Sequence, residues 1–249
     1  MVKRLGRRVL LPVAFWLAVW ELCYRAVGQD LLRASPGQVV AYLAGGMNAT
    51  FWGCVGMSLV RTGAAYVLGV ALGVALAVLC HWAPLLGEVI RPALAVVRAT
   101  PVASFIILAL VWLSAGNVPI LAGLLMVVPV VYANVTQGIE AADPQLLEMA
   151  RMFGWKRPKV WRRILLPTAL PPFLAACEAC VGMCFKATIA AEVIGVPRNA
   201  MGTQLYHAKI YLQTDALMAW TVVIILLSMV TEKLLREAIE RGRRRVHHP

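Results

Sequence analysis

Residues 99–139 contain no Asp, Glu, Lys or Arg, a run of 41 positions. One helix needs only about 20 residues to cross the hydrocarbon core of a bilayer. A run of this length therefore predicts two crossings with a break between them. The break falls at Ser114-Ala-Gly-Asn-Val-Pro119, where Gly, Asn and Pro stop a helix. The rest of the chain has the same character, with 61% apolar and 14% charged residues. Soluble domains average roughly 45–50% and about 25%. These values exclude a disordered chain, a collagen-like chain and an ordinary cytosolic globule. A chain of 249 residues cannot build a core large enough to hide so much apolar surface, so a bilayer must receive it.

The apolar runs predict an all-α, polytopic membrane protein with six transmembrane helices. The spans fall at about 9–28, 55–80, two within 99–139, 166–193 and 212–234. A polar segment over 29–54 carries a turn signal at Ser35-Pro36-Gly37. The basic start followed by an apolar run reads as a retained first span, since no small-residue cleavage site follows it.

The formal net charge is +12, but the charges do not form one basic face. Sixteen of the 24 basic side chains crowd three short stretches, 3–8, 151–163 and 233–245, separated by apolar runs. A nucleic-acid surface would not be interrupted in this way. A membrane protein uses such clusters to fix its orientation. The positive-inside rule then predicts both termini, the 80–91 loop and the 140–163 loop in the cytoplasm, with Arg25, Arg33, Arg198 and Lys209 on the other side.

Within the second span, Ala65, Gly69, Gly73 and Ala77 recur every four residues, along one helix face. Small residues there let another helix approach closely. The pattern reads as a packing seam within the chain, a dimer seam or a chance GxxxG match. Glu178, Lys186 and Glu192 lie on or near the fifth span. Charges at such depth usually face a bundle interior or an aqueous path. The two glutamates lie within about 40° of one face and roughly 21 Å apart along the axis. This face is a candidate lining for a translocation path. The alternatives are ion pairs with other spans and, for Glu192, a place at the outer interface. Arg61 could partner such a carboxylate, but the favoured reading has it snorkel to headgroups.

Cys177, Cys180 and Cys184 share a helix face, yet the histidines and acids that would complete a metal site are missing. No metal or cofactor is expected. The six cysteines sit mostly in apolar runs and do not suggest a disulfide framework. The stretch 199–215 is read as an external helix or a solvated linker, and His247-His248 as a tail.

The segment 140–167 stands apart from the spans. Asp143-Pro144 marks a helix start, with a side-chain oxygen to cap free N–H groups and proline in the first turn. Leu146, Leu147, Ala150 and Phe153 form an apolar stripe at helical spacing. Gly154 ends the helix, and Pro167 opens the next span. The result is an amphipathic helix, a tight turn and a second helix outside the membrane. Such a helix either fills a groove on a soluble partner or lies on anionic lipid.

Glu148-x-Ala150, Gly154 six residues after the glutamate, and then Ile164, Leu166 and Pro167 resemble the "EAA" loop of ABC-importer permease subunits. Met149 stands where that pattern usually has alanine. Ser58-Leu-Val-Arg61, Arg98-Ala-Thr-Pro101, Trp112 with Gly116, and Ala191-Glu192-Val-Ile-Gly195 are similar to the sulfonate/taurine/nitrate-type branch. The resemblance implies a MetI-like ABC permease fold in the cell (plasma/inner) membrane. It implies a single transmembrane permease domain over 1–249, with the coupling loop at 140–167. The implied partners are two ABC ATPase subunits gripping that loop, a periplasmic or lipid-anchored substrate-binding protein, and a second permease subunit, as a homodimer, in membrane lipid. Glu148, Ala150, Gly154, Ile164, Leu166 and Pro167 would carry the ATPase coupling, with Gly154 placed where side-chain bulk would obstruct the turn. The implied cargo is a small organic or anionic solute such as a sulfonate, taurine, nitrate or a vitamin precursor.

The chain lacks the G-x-x-x-x-G-K-[ST] phosphate cradle, and contains no Gly-Lys dipeptide, so the energy would come from another chain. The competing readings are an ion-coupled secondary carrier, which predicts an inverted repeat, and an integral-membrane lipid enzyme, which needs an acid/base or metal constellation. Neither feature stands out in the sequence.

Overall fold

The computed structural model describes residues 34–247, with side chains to 241, and several positions between 12 and 22. Most of the expected first span, with Arg25, Arg33 and Cys23, lies outside the described residues. Helices and turns make up the described residues, which contain no strand.

Ser35-Pro36-Gly37 starts a helix, α1 (Pro36–Gly46), where the sequence suggests a turn. The Ser35 Oγ accepts from the Gln38 amide at 3.2 Å, and the Gln38 side chain accepts from the Ser35 amide at 2.8 Å. Proline in the first turn completes a capped start. Asn48 opens α2 (Ala49–Trp82) by accepting from the Phe51 amide at 2.9 Å. The helix runs 34 residues and overshoots the expected span at both ends.

The region after α2 departs from expectation. In place of an 80–91 loop, Pro84 opens a further helix, α3 (Pro84–Ala99), followed by α4 (Val102–Trp112). The two are bent by 105°. The cause is Pro101, which disfavours helical backbone at the residue before it. Thr100 is extended, with ψ 134°. An 11-residue α4 rises about 16 Å, short of the roughly 30 Å hydrocarbon core. The expected third span is therefore not one straight helix. Among the described residues four helices are long and apolar enough to cross, or five if the bent pair counts as one.

The Gly-Asn-Pro break holds, and α5 (Val118–Glu140) follows it. Then come α6 (Pro144–Met152), α7 (Arg157–Val160) and a π-helical turn over Trp161–Leu165 that runs directly into α8 (Leu166–Gly195). The chain closes with α9 (Met201–Ile210) and α10 (Thr214–His247).

Helix α5 is the centre of the bundle, held between α2 and α8. Its Val127, Val131, Val135 and Ile139 form a core with Ala65 and Ala77 of α2 and Cys180 and Cys184 of α8. The four-residue repeat of α2 is the seam. A Cβ on Gly69 would lie 2.7 Å from the Val127 Cβ, and one on Gly73 would lie 2.8 Å from the Val131 Cβ. Ala65 and Ala77 are fully buried on the same face. The small residues therefore serve packing within the chain and are not available to a dimer partner. The cysteine face of α8 packs into the same contact, with the Cys184 Sγ 3.7 Å from the Thr62 carbonyl.

Gly73→Val is expected to disrupt this seam by overpacking, at a cost of about 1–3 kcal/mol. Gly63→Val on the same helix, where an added Cβ meets nothing within 4 Å, is the control. Yield and thermal stability in detergent should fall for the first variant and hold for the second.

Candidate functional site

Two constellations stand at opposite ends of the bundle. At one end the elbow formed by α6, α7 and the π turn projects from the core. Asp143 caps α6 by accepting from the Gln145 amide at 2.8 Å. At the other end of α6 the Trp155 amide donates to the Ala150 carbonyl at 2.9 Å and the Gly154 amide to the Arg151 carbonyl at 3.0 Å. This pair of bonds is a Schellman motif, which needs a left-handed residue at Gly154. Its φ is +63°. A Cβ there would meet nothing within 4 Å. The glycine is therefore required by backbone conformation, and the expectation that bulk would obstruct the turn is corrected.

The elbow has two distinct faces. Ala150 and Ile164 are buried in the α2–α5–α8 core, with Leu147, Trp155 and Trp161 packed against it. Leu146, Met149, Met152 and Phe153 are exposed, Met152 at 88% and Phe153 at 73%. Glu148 is exposed on the same outward side and makes no ion pair among the described residues. Leu166 and Pro167 are exposed at the start of α8. Of the expected coupling residues, Ala150 and Ile164 anchor the elbow, Gly154 shapes it, and Glu148 is presented outward.

At the far end, Glu192 is completely buried and its carboxylate is fully engaged. The Ser58 Oγ reaches both oxygens at 2.8 and 2.7 Å, Arg61 Nη1 donates at 3.3 Å and the Gly202 amide at 3.1 Å. The Met201 amide donates to the Ser58 Oγ at 3.0 Å. Arg61 also donates to the carbonyls of Arg198 and Asn199, at 3.0 and 3.3 Å. The network ties α2 and α8 to the turn before α9. Arg61 is buried and does not snorkel, so the partner reading replaces the favoured one. Gly202 admits no side chain, since a Cβ would sit 2.5 Å from the Glu192 Cβ.

Glu178 lies about 21 Å below Glu192 along α8. It is part-exposed and faces Arg236 of α10 at 3.9 Å. Lys186 lies between the two levels, exposed, with no ion pair or hydrogen bond among the described residues. The three charges therefore do not act as one set: each glutamate meets an arginine from another helix, and the lysine stands alone. The sequence did not mark Ser58 or Gly202 as parts of the network. The spacing of Ser58 and Arg61, three residues apart on one helix face, was the available signal. Among the described residues no group of three His, Cys, Asp or Glu side chains could hold a metal.

A bundle of long apolar helices with an elbow at one end and a sealed charge network at the other is the architecture of a polytopic membrane protein. Residues 69–245 match the family described as the binding-protein-dependent transport system inner membrane component, and the chain belongs to that family. It is the transmembrane permease subunit of an ABC importer. The chain is 26% identical over 246 residues to the taurine transport system permease protein TauC of Escherichia coli (strain K12), covering 93% of this chain and 88% of that one. It is 24% identical over 240 residues to a Bacillus subtilis (strain 168) permease named SsuC for aliphatic sulfonates transport, covering 94% and 86%. A crystal structure of an amino acid ABC transporter shares the fold, with a TM-score of 0.65 at 21% identity, over 86% of this chain and 99% of that one.

Breaking a buried ion pair costs about 3–5 kcal/mol, because the surviving charge is left unpaired. Arg61→Ala and Glu192→Ala should each lower the Tm of the detergent-solubilised protein sharply. The double variant should lose less than the sum, as residues sharing a network do. At Gly154, Asn should be better tolerated than Val, since left-handed backbone costs most L-residues roughly 1–2 kcal/mol. Tm measurements on the two variants check the order.

Proposed function

We propose that this chain forms the translocation pathway for a small organic anion and is driven through its elbow by separate ATPase subunits. The observation that carries the reading is the two-faced elbow. Its inner face is fastened to the bundle through Ala150 and Ile164, and its outer face offers Leu146, Met149, Met152 and Phe153 around Glu148. An apolar helix face on a rigid mount suits a groove on a partner protein. A force applied there reaches α5 and α8 without loss in a flexible joint.

The elbow is cytoplasmic in this reading, in agreement with its basic residues. The opposite end meets the substrate-binding protein, at the exposed tip of Ile210, Tyr211 and Leu212 beyond α9. A second copy completes the pore. ATP hydrolysis belongs to the ATPase subunits, and this chain performs vectorial transport without covalent chemistry. The cargo is a sulfonate-like anion, as the names of TauC and SsuC suggest for those relatives. The path runs along the exposed side of α8, past Ala175, Ala179 and Lys186, with Glu178 at its inner mouth. Glu192 contributes by holding the outer end of that helix.

Reconstitution with the ATPase and binding protein tests the reading. Sulfonates should stimulate ATP hydrolysis, and a panel of uncharged solutes should not. Glu148→Arg should abolish uptake while membrane insertion and Tm stay normal; normal uptake would remove the coupling role. Lys186→Ala should lower uptake of the anion at least about tenfold, as loss of a charge-assisted contact worth about 1.5–3 kcal/mol implies. Unchanged kinetics would take Lys186 out of the path.

A further inference from the structure

The side of the elbow toward the end of α2 carries two adjoining cavities. A cavity of about 520 Å³ opens between the end of α2, the elbow helix and the π turn, with Arg151, Arg157, Trp155 and Trp161 in its wall. A second cavity of about 320 Å³ adjoins it, bounded by Pro158 and Leu166. The two share Trp82, Arg157 and Trp161. The first is cationic: no Asp or Glu lines it, and neither Arg151 nor Arg157 has an ion-pair partner among the described residues. Lys159 adds a further cation, 4.2 Å above the Trp155 ring. The second is mostly apolar, with Arg162 at its edge.

The position matters as much as the charge. Trp82 ends one apolar span and Leu166 begins another, so the pair of cavities straddles the boundary between hydrocarbon and water. Tryptophan gathers at that boundary. Trp82 is 65% exposed and Leu166 53%. Trp82 packs edge-on to Trp161 at 6.3 Å, which fixes the wall between the two cavities.

We propose that this cradle binds an anionic phospholipid, with the phosphate among Arg151, Arg157 and Arg162 and an acyl chain along the Trp82–Leu166 groove. Guanidinium groups match phosphate oxygens two at a time. A free phosphate would satisfy the cationic cavity and leave the apolar groove empty. A lipid satisfies both, because it alone carries the two chemistries on one molecule at this depth. Bound there, it joins the mount of the elbow to the bilayer, along the side of the elbow helix that carries Leu147 and Arg151.

The test uses the assembled transporter, permease with ATPase and binding protein, in phosphatidylcholine vesicles containing phosphatidylglycerol. Brominated acyl chains, placed on one lipid or the other, quench nearby tryptophan. Brominated phosphatidylglycerol should quench more strongly than brominated phosphatidylcholine, and Trp82→Phe/Trp161→Phe should remove the excess. Arg157→Gln and Arg162→Gln should each weaken the preference about fivefold. Arg157→Lys should retain part of it, which separates lost binding from lost folding. Equal quenching by the two lipids would overturn the proposal, as would a preference untouched by the arginine changes. Removal of the preference by inorganic phosphate would reassign the cradle to a soluble anion. A preference present in the isolated permease and absent from the assembled complex would reassign it to the ATPase. Uptake is not measured, so failure here leaves the transport reading standing.

Discussion

The fold rests on how closely α5 can approach its neighbours. Lipid tails supply no hydrophobic force between helices, so the bundle depends on contact between surfaces that fit. Gly69 and Gly73 of α2 place helix backbone directly against Val127 and Val131 of α5. On the opposite side the cysteine face of α8 fills the remaining space. The outcome is three helices with little freedom to slide, and both the elbow and the Glu192 network are mounted on them. The elbow inserts Ala150 and Ile164 into the same core, and the Glu192 network hangs on the far ends of α2 and α8.

The two ends of this rigid unit have opposite characters. At the end away from the elbow the Glu192 carboxylate is held by three donors, the Ser58 hydroxyl, Arg61 and the Gly202 amide, and is closed to solvent. That arrangement holds helices together and leaves no acceptor for a solute. At the elbow end the capped helix leaves one face bare, with large apolar side chains in the open. The proposed ATPase contact rests on this bare face. The sequence allowed the elbow to lie in a partner's groove or on anionic lipid. In three dimensions the helix shows two faces: Leu147 and Trp155 turn inward onto the core while Met149 and Phe153 turn out.

Much of this was legible in the residues alone. The uncharged run with its Gly-Asn-Pro break, the Asp143-Pro144 start and the Gly154 stop were local signals, and each appears where the chain chemistry places it. Other readings failed for identifiable reasons. Ser35-Pro36 has the same composition in a turn and at a helix start, and only the reciprocal bond with Gln38 distinguishes them. Pro101 divides an apolar stretch that hydropathy cannot divide, so α4 is too short to cross unaided. Arg61 near the end of a span favours snorkelling, and only the carboxylate of a distant helix makes it a partner.

What the sequence determined by itself is the class of molecule: long apolar helices, basic clusters separated by apolar runs, and a capped elbow between two spans. These follow from periodicity, capping and transfer free energy, which act on neighbours along the chain. Which charge meets which was decided by tertiary structure. Glu192 is joined to a serine and an arginine more than 130 positions away, and Glu178 to Arg236 on the last helix. Partners so remote are brought together only by helix packing, and packing depends on surfaces complementary in three dimensions, for which spacing along one chain carries no signal.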